Sequence, residues 1–391
     1  MKQIALPFLL TSLLGAGEIA YKGNLGIEYD YFSDTPPGKR SDTFAFRGDV
    51  EAKKETGDGE VKLHLKGIWD KEDSERRYVD IQELYYKHNF ENSELLIGRN
   101  ILFWGALEVY NIADVFNTKD TLDDPFDYDR KLGAWNVAWT RFFDNSELAL
   151  ILRLHEEDQK FQNAASVFNF LPLPYDSELI TEYDHRPSLF VKYSGSGEEV
   201  QIDYALIYEA GYDDQRYFTY DRKTGKLRQH AYWVNKLLGY TTYVHEDTIY
   251  KAEAAWAVSD DTKVSDYLHL GAGLEHTLYG VWEKRDLGLL LEYYRYEQFN
   301  DTKFSTRELG VLFQNDLYLG ARFSFNDTAS SEILAGVDFD LDESEKIYFL
   351  KYDTRVLDAL KTEVQYQHLS PSKSSLFSRT DHLKVAVSYY F

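Results

Sequence analysis

The chain ends in Asp381-His382-Leu383-Lys384-Val385-Ala386-Val387-Ser388-Tyr389-Tyr390-Phe391, a segment that alternates over the length of one strand. Leu383, Val385, Val387, Tyr389 and Phe391 share one face, while His382, Lys384, Ala386, Ser388 and Tyr390 share the other. Such a strand wants apolar surroundings on one side and polar surroundings on the other. The pattern recurs from about Asn24 onward. Phe44, Phe46 and Val50 oppose Arg47, Asp49, Glu51 and Lys53; Val61, Leu63, Leu65 and Trp69 oppose Lys62, His64, Lys66 and Asp70; Leu317, Leu319, Phe323 and Phe325 oppose Tyr318, Arg322 and Ser324. No linker or composition break interrupts it, so one large β-domain is expected.

Alternation alone does not say which face points inward; the cost of burying charge separates a membrane barrel from a soluble one, and the two ends of the chain break the tie. Placing Arg47, Lys62, Asp203, Lys251, Glu253, Glu292, Arg322, Lys351 and Lys361 in a dry core costs several kcal/mol each. Lining a water-filled lumen with them and turning the apolar face to lipid costs little. The N-terminus agrees: Met1-Lys2, an apolar run from Ile4 to Leu14 too short to span a bilayer, then Gly15-Ala16-Gly17. Residues 1–17 therefore read as a secretory signal peptide and 18–391 as a single exported domain. With 31 Tyr, 24 Phe and 7 Trp, and an aromatic as the final residue, the chain can supply two interfacial girdles. The expected fold is all-β, a transmembrane antiparallel barrel of the Gram-negative outer membrane, bathed in lipid and lipopolysaccharide.

Turn residues divide this domain into about eighteen strands, with sixteen as the alternative even count. Short turns are expected at Glu55–Gly59, Phe90–Ser93, Asp144–Ser146, Gly195–Gly197, His245–Asp247, Thr277–Asp286 and Asn326–Ala329, on the periplasmic side. Long outer loops are expected at Ser33–Asp42, Trp104–Arg130, His155–Pro187, Ala210–Arg228 and Ser370–Thr380, and Gln298–Leu312 has room for an extra strand pair.

Several function classes fall away. A net charge of −23, or −24 once residues 1–17 with their single lysine are removed, disfavours nucleic acid as a partner. There is no cysteine for a thiolate site, and the ten histidines show neither H-x3-H nor H-E-x-x-H spacing, so no cofactor or resident metal is expected. The acids Asp120, Asp123, Asp124, Asp127 and Asp129 lack EF-hand spacing and read as a solvated surface. Neither a G-x-S-x-G elbow nor a nucleotide fingerprint is present. A barrel hydrolase built from neighbouring strands, with Ser265, Glu275 and His276 as its candidates, is the enzymatic alternative to a non-enzyme.

Sixteen to eighteen strands enclose more space than wall side chains fill, so the loops decide what the lumen does. Trp104–Arg130 mixes aromatic anchors with polar oxygens. Trp104, Glu108, Asn111, Asp114, Asn117 and Asp120 are the candidates for a constriction folded into the lumen, facing wall cations among Arg47, Lys62, Lys66 and Arg322. The alternative is an outer loop held against the wall by Trp104 and Phe116.

This segment carries a family resemblance. Gly98-Arg99-Asn100-Ile101-Leu102-Phe103-Trp104-Gly105, then Glu108, Asn111, Asp114-Val115, Asn117, Asp120 and Lys131-Leu132-Gly133, resembles poorly characterised porin-like barrels of Gram-negative outer membranes. Asp286–Tyr293, Asn315–Gly320, Asn326-Asp327 and Leu334-Ala335-Gly336 are similar to the same group in the same order. More remotely, the Gly-Arg-x4-Trp-Gly start is similar to alginate-export and porin-type barrels. The resemblance implies an outer-membrane barrel with a transport role; Phe168–Tyr175 departs from it.

The expected function is passive diffusion of small hydrophilic solutes, with a cation preference from the acidic charge and with monomer and homo-oligomer both compatible. The other reading is an adhesive or structural barrel. Its support is the apolar content of His155–Pro187, where Phe161, Phe168, Phe170, Leu171, Leu173 and Tyr175 want a cover.

Overall fold

Alternating segments joined by tight turns must pair with their sequence neighbours, and here they do so until the sheet meets itself. The computed structural model describes residues 18–122, 127, 130–299, 313–372, 375 and 378–391. The expected leader, most of the acidic run at Asp123–Asp129 and most of Gln298–Leu312 lie outside the described residues.

Eighteen strands form one closed antiparallel sheet. In order around the barrel they are β1 (Ala20–Ser33), β2 (Asp42–Thr56), β3 (Gly59–Asp70), β4 (Arg77–Asn89), β5 (Ser93–Asn100), β6 (Ala134–Phe142), β7 (Ser146–Arg153), β9 (Ser188–Ser196) and β10 (Ile202–Tyr212). The circuit continues through β13 (Trp233–His245), β14 (Thr248–Ser259), β15 (Tyr267–Trp282), β16 (Arg285–Gln298), β17 (Asn315–Ser324), β18 (Glu332–Asp340), β19 (Lys346–Leu357), β20 (Leu360–Ser370) and β21 (Thr380–Tyr390). β21 pairs back onto β1, from Asn24 opposite Tyr390 to Ser33 opposite Asp381. The final residue completes this seam: Gly23 and Phe391 exchange two backbone hydrogen bonds of 3.0 Å each. A side chain at Gly23 would sit 2.9 Å from the Phe391 ring and 2.5 Å from the Asp49 carbonyl, so the seam closes only over a glycine.

The faces fall as charge burial requires. Leu25 is 58% exposed and Trp256 52% on the outside, whereas the inward-facing Glu209 and Glu292 are fully buried. A surface this apolar is stable only in lipid.

Two expectations about connections need correction. Thr277–Asp286 is not a turn: β15 runs on to Trp282 and the turn shrinks to Glu283-Lys284, with Glu283 left-handed at φ 60°. Leu278 still pairs with Leu287, so a glycine and a charge cluster marked an irregularity inside a long hairpin, not its tip. Ala210–Arg228 is not an irregular loop either. β10 extends to Tyr212, and the segment after it forms a hairpin, β11 (Tyr217–Asp221) with β12 (Lys226–Ala231). β12 then pairs in parallel with β8 (Tyr175–Thr181), from the β7–β9 connection, to make a three-stranded sheet at the long-loop end. Lys226-Leu227-Arg228-Gln229-His230 has no apolar face, which is why alternation did not reveal it.

Candidate functional site

The inward face is charged around only part of its circumference. Across β7, β9, β10, β13 and β14 the inward positions include Ala149, Ile151, Phe190, Ile207, Leu238 and Ala255, all buried in one cluster with Trp104, Leu107, Ile112, Val115 and Phe116. The β5–β6 connection has therefore folded into the barrel and packed on an apolar patch of wall. Trp104, Phe116 and Phe190 meet with ring centroids 5.2 to 5.7 Å apart. The charged lining expected from alternation therefore holds for part of the circumference, and several strands are apolar on both faces, as Leu148-Ala149-Leu150-Ile151-Leu152 already was in the sequence.

Wall carboxylates hold the backbone of the inserted loop. Glu253 on β14 accepts the amides of Ala106, Leu107 at 2.9 Å and Ala113 at 2.9 Å. Glu292 on β16 accepts those of Glu108 at 2.7 Å and Val109 at 3.1 Å, and Tyr294 accepts that of Tyr110 at 3.1 Å while donating to Glu292 at 2.6 Å. These amides would otherwise be orphaned in an apolar packing layer. Gly271 and Gly273 make the room: a side chain at Gly271 would lie 2.6 Å from a Leu107 methyl and 2.9 Å from an Ile112 methyl. None of these wall residues was singled out as a loop anchor in the sequence. The available signals were the carboxylate isolated in Lys251-Ala252-Glu253-Ala254-Ala255 and the Gly-x-Gly within a strand.

The candidate loop residues divide by role. Asp114 pairs with Lys131 at 2.5 Å and Lys119 at 3.4 Å and accepts the Trp104 amide at 3.4 Å. Asn117 accepts the Leu102 amide at 2.8 Å and donates to the carbonyls of Asn100 and Leu132. Asn111 is buried against Gly105, its Oδ1 filling the space that a side chain on that glycine would need. Trp104 is buried in the packing layer. Glu108 and Asp120 instead reach the charged wall: Glu108 meets Lys251 at 2.6 Å and Arg322 at 3.4 Å, and Asp120 meets Lys66 at 2.9 Å. Burial would raise the Glu108 carboxyl, but Lys251 and Arg322 hold it below the usual carboxylate range.

Opposite the loop, inward charges of both signs interleave. Glu28 pairs with Arg47 at 2.8 Å, Arg76 at 2.9 Å and Lys384 at 3.2 Å; Lys62 bridges Glu51 at 3.1 Å and Glu83 at 2.6 Å; Lys351 bridges Asp353 and Glu363. Arg322 and Glu108 keep 39% and 35% side-chain exposure, so water reaches the gap between loop and wall.

A second segment covers the long-loop end. Residues 154–174 lead from β7 toward β1, β2 and β21, where Phe168 packs on Phe32 at 5.2 Å and His382 at 5.1 Å. Lys39 donates to the carbonyls of Ala164, Ser166 and Asn169, the Arg40 amide to that of Ala165, and Asp73 accepts the Asn163 amide. Phe161 packs against Phe170, Tyr175 and Phe218. The apolar content of this loop, which suggested an outside partner, is thus largely spent on the chain's own barrel; Leu173 stays exposed. At the base of the three-stranded sheet, burial pushes the Asp213 carboxyl up to about 6 against the pull of Lys236, 3.4 Å away.

The hydrolase candidates are not brought together. Glu275 faces inward onto Lys251 and Arg322, while the adjacent His276 faces outward, its Nδ1 2.8 Å from the Thr248 hydroxyl.

Fold and insertion together define a class, the eighteen-strand antiparallel β-barrel with a lumen narrowed by its own loops. Solved structures share the barrel fold. Pseudomonas aeruginosa OccK3 (OpdO) superposes with a TM-score of 0.55 at 11% identity, over 95% of each chain. P. aeruginosa OccK8 (OprE) does so at 0.55 and 9% identity over 96% of this chain and 99% of that one, and Acinetobacter baumannii OccAB4 at 0.58 and 8% over 96% and 98%. These are Occ/OprD-family outer-membrane porins. No family model and no curated protein matches the chain.

Proposed function

We propose that the chain is an outer-membrane channel for passive diffusion of small hydrophilic solutes, with residues 1–17 as the export leader and 18–391 as the pore. The observation that carries this is charge that stays open to water where the inserted loop meets the wall: Glu108 and Arg322 keep 35% and 39% side-chain exposure, and the inward-facing Lys62, Lys66 and Arg47 keep 16 to 19%. Trp104–Asp120 acts as the constriction: its packed side seats it, and Glu108 and Asp120 present charge to the passage. Likeness in fold to the Occ porins supports a channel, and the resemblance to alginate-export barrels rests on Gly98-Arg99 and Trp104-Gly105 alone. The apolar outer face meets phospholipid and lipopolysaccharide. The acidic charge favours cations.

Purified barrel in liposomes, challenged by osmotic swelling with sugars, amino acids and organic acids, tests the reading. Swelling by small solutes of these classes is expected, and impermeability to all of them refutes it. A reversal potential set by the anion in a salt gradient would refute the cation preference separately.

A further inference from the structure

Three adjacent strands bring a mixed nitrogen and oxygen donor set to one spot on the inner wall. Glu51 on β2, His64 on β3 and Glu83 on β4 each offer one donor atom, and the three atoms lie within 4.8 Å of one another. Strand pairing places them: Glu51 lies opposite His64, and His64 opposite Glu83, all on the inward parity. A bulge immediately after His64 restores that parity. His64 and Leu65 are consecutive on β3, but their partners Glu83 and Ile81 are separated by Gln82, and the extra residue keeps Glu83 facing inward.

We propose that Glu51, His64 and Glu83 form a site for a divalent first-row transition metal ion inside the lumen. The imidazole is oriented for it. His64 Nε2 lies 2.9 Å from Asp49 Oδ1, a contact that fixes the ring plane, and Nδ1 lies 3.6 Å from Glu83 Oε2, so an ion bound at Nδ1 replaces that contact. A carboxylate behind a histidine ligand fixes the tautomer and strengthens the donor. Neighbouring donors of a tetrahedral zinc ion stand about 3.3 Å apart, given bonds of about 2.0 to 2.1 Å, so His64 and Glu83 need to close by only a few tenths of an ångström. Glu51 must close the larger remainder, leaving Lys62 and also Lys22, which lies 3.3 Å from it. Three protein donors leave a fourth position to water facing the lumen.

A second observation marks the spot as one that holds positive charge. The Lys62 ammonium lies between the carboxylates, 3.1 Å from Glu51 and 2.6 Å from Glu83. It is a tethered occupant, 19% exposed and able to swing into the lumen. An entering metal displaces it, so Lys62 sets the affinity by competition while His64 sets the choice of metal. Imidazole favours zinc, copper or nickel over magnesium or calcium. A bound ion adds charge to the passage and lowers the current carried by small cations.

The test uses the full refolded barrel with Zn2+ as probe, in a chelator-competition titration and in planar-bilayer conductance. His64→Asn should weaken binding by roughly a hundredfold or more and abolish inhibition of the current by zinc, and Asp49→Asn should weaken binding by roughly 10 to 100-fold. Lys62→Met should tighten binding, a gain that misfolding does not imitate. Magnesium should neither bind in competition nor inhibit. Equal zinc affinity in wild type and His64→Asn, or lost affinity in Lys62→Met, overturns the proposal. The titration reads binding without transport, so its outcome stands apart from that of the channel reading.

Discussion

Replacing Glu253 by alanine removes the acceptor of three backbone amides, those of Ala106, Leu107 and Ala113, at the point where the inserted loop meets β14. Each amide left without a partner in a buried position costs about 1 to 3 kcal/mol. Three of them give about 3 kcal/mol at the low end, which applies here because water can follow the loop from the lumen. Release of the carboxylate's own burial cost cannot cancel this, since the orphaned amides remain. At about 1.4 kcal/mol per factor of ten, the docked state loses roughly a hundredfold against undocked ones. The barrel ladder does not pass through the loop, so heat-resistant migration on gels should persist. Single-channel recordings should show higher mean conductance and added open-channel noise in Glu253→Ala, and more of both when Glu292→Ala is added. Because both carboxylates hold one loop, their effects should exceed additivity. Unchanged conductance and noise in the double variant would falsify the idea that wall carboxylates hold the constriction.

Further outcomes follow from the same geometry. Deleting Leu107–Thr118 should enlarge conductance and alter ion selectivity; an unchanged channel would mean that the loop does not narrow the path. Gly271→Val drives a branched side chain into Leu107 and Ile112, an overpacking of about 1 to 3 kcal/mol that should also unseat the loop, read as raised conductance with the barrel intact. Lys39→Met removes a donor to three carbonyls and should loosen the cover at the long-loop end, detected as faster proteolysis within 160–174. The His230 imidazole, stacked on Tyr217 in the three-stranded sheet, is pushed from 6.5 down to about 4 by burial and by Lys263 and Arg228. Its neutral form is favoured in the folded sheet, so the opened segment takes up a proton first as pH falls. Stability of that sheet should be complete above about 6.5 and decline toward about 4, seen as rising amide exchange across 217–231; flat exchange over that window, or a His230→Gln variant with the same decline, would refute it.

The barrel itself was legible in the chain. Alternation at Leu383 to Phe391 and at Phe44 to Lys53 fixed the parity of each strand, because a two-residue period leaves only one choice per strand once a single face is known. The cost of burying Arg47, Lys62, Glu253 and Glu292 dry, taken with the export-like N-terminus and the terminal aromatic, then assigned the apolar face to lipid. Turn chemistry gave eighteen strands, and it also placed a long polar and aromatic segment at Trp104–Arg130.

Only the tertiary structure decided what that segment does with its residues. Asp114 and Asn117 looked like oxygens for a solute and spend themselves folding the loop, while Glu108 and Asp120 meet wall cations 143 and 54 residues away. Their partners come from strands with no sequence relation to the loop, and only closure of the sheet sets them in register. The same holds for Glu51, His64 and Glu83: each reads as one more charged inward position on its own strand, and pairing with a bulge makes them a cluster. A strand's period is a local property, written in the order of residues; the lumen is made of residues one strand apart, and their distance exists only after the ladder has closed.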